Sequence, residues 1–231
     1  MNRAERRRQE KLERSGKKSD VINQVIGSMI APIVVLLNAR EFDKAEAALN
    51  ELLATSPHHA EGLHLQGLLL CQTGREILGI ASFQRAVELA PKEALYWNNL
   101  AAAYSRTEQW DASIEAARKS AALDPTYVDP QYILANVLLD RGNMIEGTDE
   151  LAKLVKLKTD DGKLWHQLAR HRAEQERNDE AIEAYQRALA LMPTDVAVMR
   201  ELATIYMVTW QYDAAQKLRK QADQLDAANY H

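Results

Sequence analysis

Six histidines and one cysteine are the side chains in this 231-residue sequence best suited near neutral pH to bind a transition metal or act as base or nucleophile: His58, His59, His64, His166, His171, His231 and Cys71. His166 and His171 stand five apart, on different faces of a helix, whereas two histidines share a metal at a spacing of four. Cys71 has no base near it in the sequence and reads as a packed thiol. Asp160 and Asp161 fall between two helical stretches, where carboxylates cap the helix that follows. No Gly-rich phosphate loop, G-x-S-x-G elbow or HExxH motif occurs. The sequence therefore predicts no catalytic residue, no metal site and no cofactor: it reads as a chain that is not an enzyme.

The elements that would position any remaining chemistry come from a repeat. Pro57, Pro91, Pro125 and Pro193 keep one 34-residue register, and Thr159 fills the skipped place. With the proline at position 32, six units run without insertion over 26–59, 60–93, 94–127, 128–161, 162–195 and 196–229. Position 7 is Leu100, Leu134, Leu168 and Leu202. Position 8 is small: Gly67, Ala101, Ala135, Ala169 and Ala203. Trp97 and Trp165 share position 4; Leu70, Tyr104 and Tyr206 share position 11. Ala45, Ala181 and Ala215 share position 20, Phe83 and Tyr185 position 24, and Ala86 and Ala188 position 27. Apolar residues recurring every three or four places predict two amphipathic helices per unit, with small residues where the pair touches and proline ending the second helix. One such pair cannot bury its apolar face alone, so neighbours must stack.

Composition agrees. One cysteine excludes an internal disulfide framework and suits a reducing, cytoplasmic location. Two Phe and nine Gly argue against an all-β chain. The formal charge of −4 divides unevenly: residues 1–20 hold eight Lys/Arg against four Asp/Glu, leaving the arm at +4 and the body at −8. A body of that charge is a poor match for duplex nucleic acid.

This pattern resembles the tetratricopeptide repeat, W-x2-L-G-x2-Y followed by A-x3-F, then A and P. In unit 162–195 the signature places hold Trp165, Leu168, Ala169, Ala181, Tyr185, Ala188 and Pro193, with Arg172 where tyrosine is expected. The first unit departs most, with Pro32 and Ile33 at positions 7 and 8. The resemblance implies an all-α fold, an α-α superhelix of paired antiparallel helices, whose first helices line a concave face with positions 2, 5, 6, 9, 12 and 13. Mapped here, the implied partner groove holds His64, Asn98, Asn99, Arg106, Tyr132, Asn136, His166, Arg170 and Arg200. Such amide, imidazole, phenol and guanidinium groups suit an extended peptide backbone or a carboxylate. If His64 and His166 contact an anion, partner affinity would depend on pH near neutrality. Of the chaperone-tail clamp known in the family only Asn99 is present, followed by Asp129 and Ile133, so the resemblance does not extend to that clamp. The asparagine ladder of O-linked N-acetylglucosamine transferases is likewise represented by Asn99 alone. The implied function is a non-catalytic scaffold or adaptor for a protein or peptide partner.

The two ends differ. In the last helix Ala215, Leu218, Ala222 and Leu225 form one stripe and polar residues cover the rest, so that helix can face water. The first helical stretch, Val21 to Leu37, leaves almost no polar face, and its Ile22, Ile26, Met29, Ile30 and Ile33 form an expected self-association surface for a homo-oligomer. Its longest uninterrupted apolar run, Met29–Leu37 if Pro32 is passed over, is too short for a bilayer span of roughly 18 to 20 residues. The arm's Arg3, Arg6, Arg7, Arg8, Lys11, Arg14, Lys17 and Lys18 offer an alternative reading, an electrostatic tether to nucleic acid or anionic membrane, although Glu5, Glu10 and Glu13 interrupt the cluster. A third reading, a non-catalytic subunit of a larger enzyme or secretion assembly, has the same sequence signature as the first.

Overall fold

The computed structural model describes residues 27–229. The arm at 1–20, Ile22 and Ile26 of the expected self-association surface, and His231 lie outside the described residues. Within them the fold is all-α. Helix α1 covers 27–38 and is followed by α2 (Phe42–Thr55), α3 (Ala60–Gln72), α4 (Glu76–Leu89), α5 (Ala94–Arg106), α6 (Trp110–Leu123) and α7 (Asp129–Asp140). Then come α8 (Met144–Leu157), α9 (Gly162–Glu174), α10 (Asn178–Leu191), α11 (Val196–Val208) and α12 (Tyr212–Asn229). Odd-numbered helices are the first, and even-numbered the second, of each 34-residue unit. The chain divides into two compact units, Met1–Thr107 and Glu108–His231, with the division inside the repeat 94–127, between α5 and α6. In the first unit α2 packs on α3, α3 on α4 and α4 on α5; in the second each helix from α6 to α12 packs on the next.

The small positions carry that packing. A Cβ added at Gly67 would lie 2.6 Å from the Phe83 ring, and one at Gly79 would lie 2.6 Å from Cys71 Sγ and 3.0 Å from the Gly67 carbonyl. Helices α3 and α4 are therefore as close as their backbones allow. Ala135, Ala169, Ala181, Ala203 and Ala215 play the same part in the second unit, fully buried among Leu151, Leu154, Leu168, Tyr185 and Leu202.

Two devices recur at the helix ends. Position 15 holds Arg40, Gly74, Glu108, Gly142, Glu176 and Trp210, all left-handed with φ from 57° to 84°. Each turn from a first to a second helix thus uses the same backbone conformation, whether or not glycine is available to adopt it cheaply. Position 34 starts the next first helix: His59 Nδ1, Asp161 Oδ1 and Asp195 Oδ1 accept the backbone N–H of Gly62, Leu164 and Val198 at 3.0, 3.1 and 3.1 Å. Asp161 is the helix cap its sequence position implies. The missing proline at Thr159 also finds its reason. Trp165 Nε1 donates to the Thr159 carbonyl at 3.1 Å, as Trp97 Nε1 donates to that of Pro91 at 2.9 Å, so the tryptophan needs only the carbonyl.

The ends of the described chain bury their stripes differently. On α12, Ala215 and Ala222 are buried and Leu218 and Leu225 half-buried, while Gln216, Lys217, Arg219, Lys220, Gln221 and Asp223 face water. On α1, Ile33 and Leu37 are buried with Ala45, Leu49, Leu52, Leu65 and Leu69. Ile33 is therefore a core residue and not part of an open surface, because α1 turns that side inward. Met29 and Ile30 are half-buried, and the large apolar residues α1 exposes are Val34 and, at 64% exposure, Val35.

Candidate functional site

In the first unit the expected groove residues come from α3 and α5. His64 is only 4% exposed: its ring stacks on Tyr96, with centroids 4.3 Å apart and planes at 21°, and lies 5.6 Å from Phe83. The Asn99 amide Nδ2 donates to His64 Nε2 at 2.7 Å, which requires that nitrogen to be an acceptor. Burial pushes the imidazole pKa down to about 4, so His64 is neutral near neutrality and cannot supply the pH-dependent anion contact expected of it. Asn98, 5% exposed, is likewise interior. His64 joins two repeats instead of facing a partner.

Beside them lies a cavity of about 350 Å³ lined by Leu68, Cys71, Gln72, Glu76, Phe83, Asn99, Ala102 and Arg106. Six of the eight occupy positions 6, 9, 12 or 13 of α3 and α5, the register predicted to face a partner. Cys71, expected to be a packed thiol, is half-exposed in this wall. Burial pushes its thiol pKa up, opposed by the Arg106 guanidinium, which hydrogen-bonds it.

In the second unit α9 and α11 bring position 5 of one repeat to position 6 of the next. His166 Nε2 donates to Glu201 Oε2 at 2.8 Å, and the Tyr185 hydroxyl donates to the same oxygen at 3.0 Å. Arg170 Nε lies 4.0 Å from it. Burial, with Glu201 close by, raises the Tyr185 phenol pKa well above its usual range. The Tyr132 hydroxyl donates to Asp161 Oδ2 at 3.2 Å, with Lys158 Nζ 5.9 Å from its ring centre. Arg200 pairs with Asp223 at 3.4 Å and Asp226 at 2.5 Å. Arg172, in the tyrosine place, pairs instead with Glu180 at 3.3 Å. Elsewhere that place holds Tyr104 and Tyr206, whose hydroxyls accept from Gln84 and Gln186 at 2.7 and 2.8 Å.

The structure thus sorts the expected set. Asn99 and Arg106 line one cavity; His166 and Arg170 meet at Glu201; Asn136 and Arg200 are exposed; Tyr132 is half-buried; His64 and Asn98 are interior. Leu68, Gln72, Ala102 and Glu201 are absent from the expected set, although the same register, positions 6, 9 and 13, contains all four. Among the described residues no group of three His, Cys, Asp or Glu is placed to hold a metal, and no helix is long and apolar enough to cross a membrane.

Comparison with known proteins returns two family matches. The family described as tetratricopeptide repeat matches residues 70–227, and that described as ChAPs (Chs5p-Arf1p-binding proteins) matches residues 17–120. The peroxisomal targeting signal receptor of Kluyveromyces lactis is 24% identical over 222 residues, covering 80% of this chain and 39% of the receptor. The chain spans well under half the length of the curated relatives it matches. Among solved structures, Pseudomonas aeruginosa pilF superposes with a TM-score of 0.68 at 13% identity, covering 88% of this chain and 93% of that one. YrrB, described as a TPR protein with an unusual peptide-binding site, gives 0.66 at 17% identity over 77% and 92% of the two chains.

Proposed function

The chain belongs to the tetratricopeptide repeat family, and on that premise we propose that it is a non-catalytic adaptor holding a partner peptide or protein segment against its first helices. The observation that carries this reading is the row Asn136, Arg170 and Thr204, exposed at position 9 of α7, α9 and α11 while position 8 beside each is buried. A row of amide, guanidinium and hydroxyl groups at one register offers regularly spaced hydrogen bonds to an extended chain. The relatives support a peptide or protein partner: one is named as a targeting-signal receptor and another for its peptide-binding site. A cytoplasmic location goes with this reading. The test is the affinity of a partner recovered from the native host for the wild type and for an Asn136→Glu, Thr204→Glu variant with unchanged helical circular dichroism. We expect a loss of roughly tenfold or more; equal affinity would count against the groove.

Self-association through α1 belongs to the same proposal, now centred on Val34 and Val35 with Met29 and Ile30 at their edge. Its support is the exposure of two adjacent valines on a helix whose Ile33 and Leu37 are buried.

A further inference from the structure

The cavity between α3 and α5 has a definite chemistry. Leu68, Phe83 and Ala102 supply apolar lining, and Gln72 and Asn99 supply amides. Its two charges, Arg106 and Glu76, line the same space without forming an ion pair. The other arginines singled out for the groove are matched internally, Arg170 with Glu201 and Arg200 with Asp223 and Asp226. Among the described residues Arg106 has no carboxylate within pairing distance, and its guanidinium reaches only the Cys71 thiol. A thiol with a raised pKa is a neutral, weak acceptor, so the guanidinium's capacity for a carboxylate is unspent.

Resting on the adaptor reading, we propose that this cavity is a specificity pocket for a partner segment that seats an apolar side chain against Leu68, Phe83 and Ala102 and sets one adjacent acidic side chain on Arg106. A volume of about 350 Å³ matches one large side chain and the backbone that carries it. The pocket takes a single acid, not an acidic run, because Glu76 in the same lining repels a second carboxylate and accepts a backbone N–H or a basic neighbour. A nucleotide or free polyphosphate is disfavoured by the same Glu76 and by the body's net charge of −8.

The experiment uses an array of immobilised hexapeptides carrying a central Leu followed by Glu, Lys or Gln, or a central Ala followed by Glu, probed with the full chain and with Arg106→Glu and Arg106→Gln variants. Arg106 is exposed at the end of α5, and both variants are checked for an unchanged melting curve. The Leu-Glu class should be retained best by the wild type, lose about tenfold on Arg106→Gln, and give way to the Leu-Lys class on Arg106→Glu. As Cys71 is the sequence's one cysteine, alkylation by N-ethylmaleimide, followed by intact mass, should slow when the best Leu-Glu peptide is present in solution. Peptides retained without preference for the acid, or with that preference unchanged by Arg106→Glu, would overturn the pocket and leave the adaptor reading standing. Retention of no peptide class at all would count against both.

Discussion

Asn99 donates to His64 across thirty-five residues of sequence and 2.7 Å of space, and Glu201 meets His166 at the same sequence interval and 2.8 Å. Position 5 of one repeat is tied to position 6 of the next in both units. Side-chain hydrogen bonds therefore join α3 to α5 and α9 to α11, so residues proposed for the groove also couple neighbouring repeats.

The His64 contact makes stability depend on acid. Its folded pKa, about 4, lies below the ordinary 6.5, so the unfolded chain binds the proton more readily. Stability from this group is complete above pH 6.5 and is lost as pH falls towards 4, up to about 3 kcal/mol if the whole shift is realised. Urea unfolding at pH 7, 5.5 and 4.5 measures it. His64→Gln should be less stable at pH 7 but show a shallower loss on acidification; an equal loss would mean that other groups set the slope.

Glu201 serves two donors, His166 and Tyr185. Glu201→Ala leaves both without their acceptor and is expected to cost about 1–3 kcal/mol. A double-mutant cycle with His166→Ala should give a favourable coupling energy of at least about 0.5 kcal/mol. Additive losses would show that the contact is not made in solution.

Position 15 gives a prediction of opposite signs. Gly142 has φ of 84° and open space around a would-be Cβ, so Gly142→Ala meets no clash and should still destabilise by about 1 kcal/mol through its backbone alone. Glu176, exposed with φ of 59°, pays that strain already, so Glu176→Gly should be neutral or stabilising. Chemical denaturation of the two variants compares the signs directly.

Close packing of α3 and α4 predicts that Gly67→Ala, a change usually favourable in a helix, destabilises by about 1–3 kcal/mol because the new methyl meets the Phe83 ring. Thermal unfolding followed by circular dichroism reads the shift. For α1, light scattering should show a mass that rises with concentration for the wild type and not for Val35→Lys.

Much of the fold was legible because a 34-residue period leaves one consistent arrangement: small residues at positions 8 and 20 mark where helices touch, and the α12 stripe turns Ala215 and Ala222 inward with Leu218 and Leu225 half-buried beside them. The site was less legible. Helical register says which way His64 points from its own axis, but Tyr96, contributed by the next repeat, decides whether it meets solvent. Glu201 stands at position 6, within the groove register, but its pairing with His166 and Tyr185 of the preceding repeat lies beyond single-helix spacing rules. The left-handed turns were hidden by Arg40, Glu108, Glu176 and Trp210, residue types that do not advertise positive φ. Ile33 read as surface because the sequence could not show which side of α1 faces Leu49 and Leu65.

Residue-specific photo-crosslinking tests the central claim most directly. A benzophenone amino acid is placed at Asn136 on α7 and, separately, at Glu183 on α10, both exposed in the free chain. Capture of the partner from position 136 and not from 183 is the expected result; capture from 183 alone would place the partner on the second helices and contradict the account.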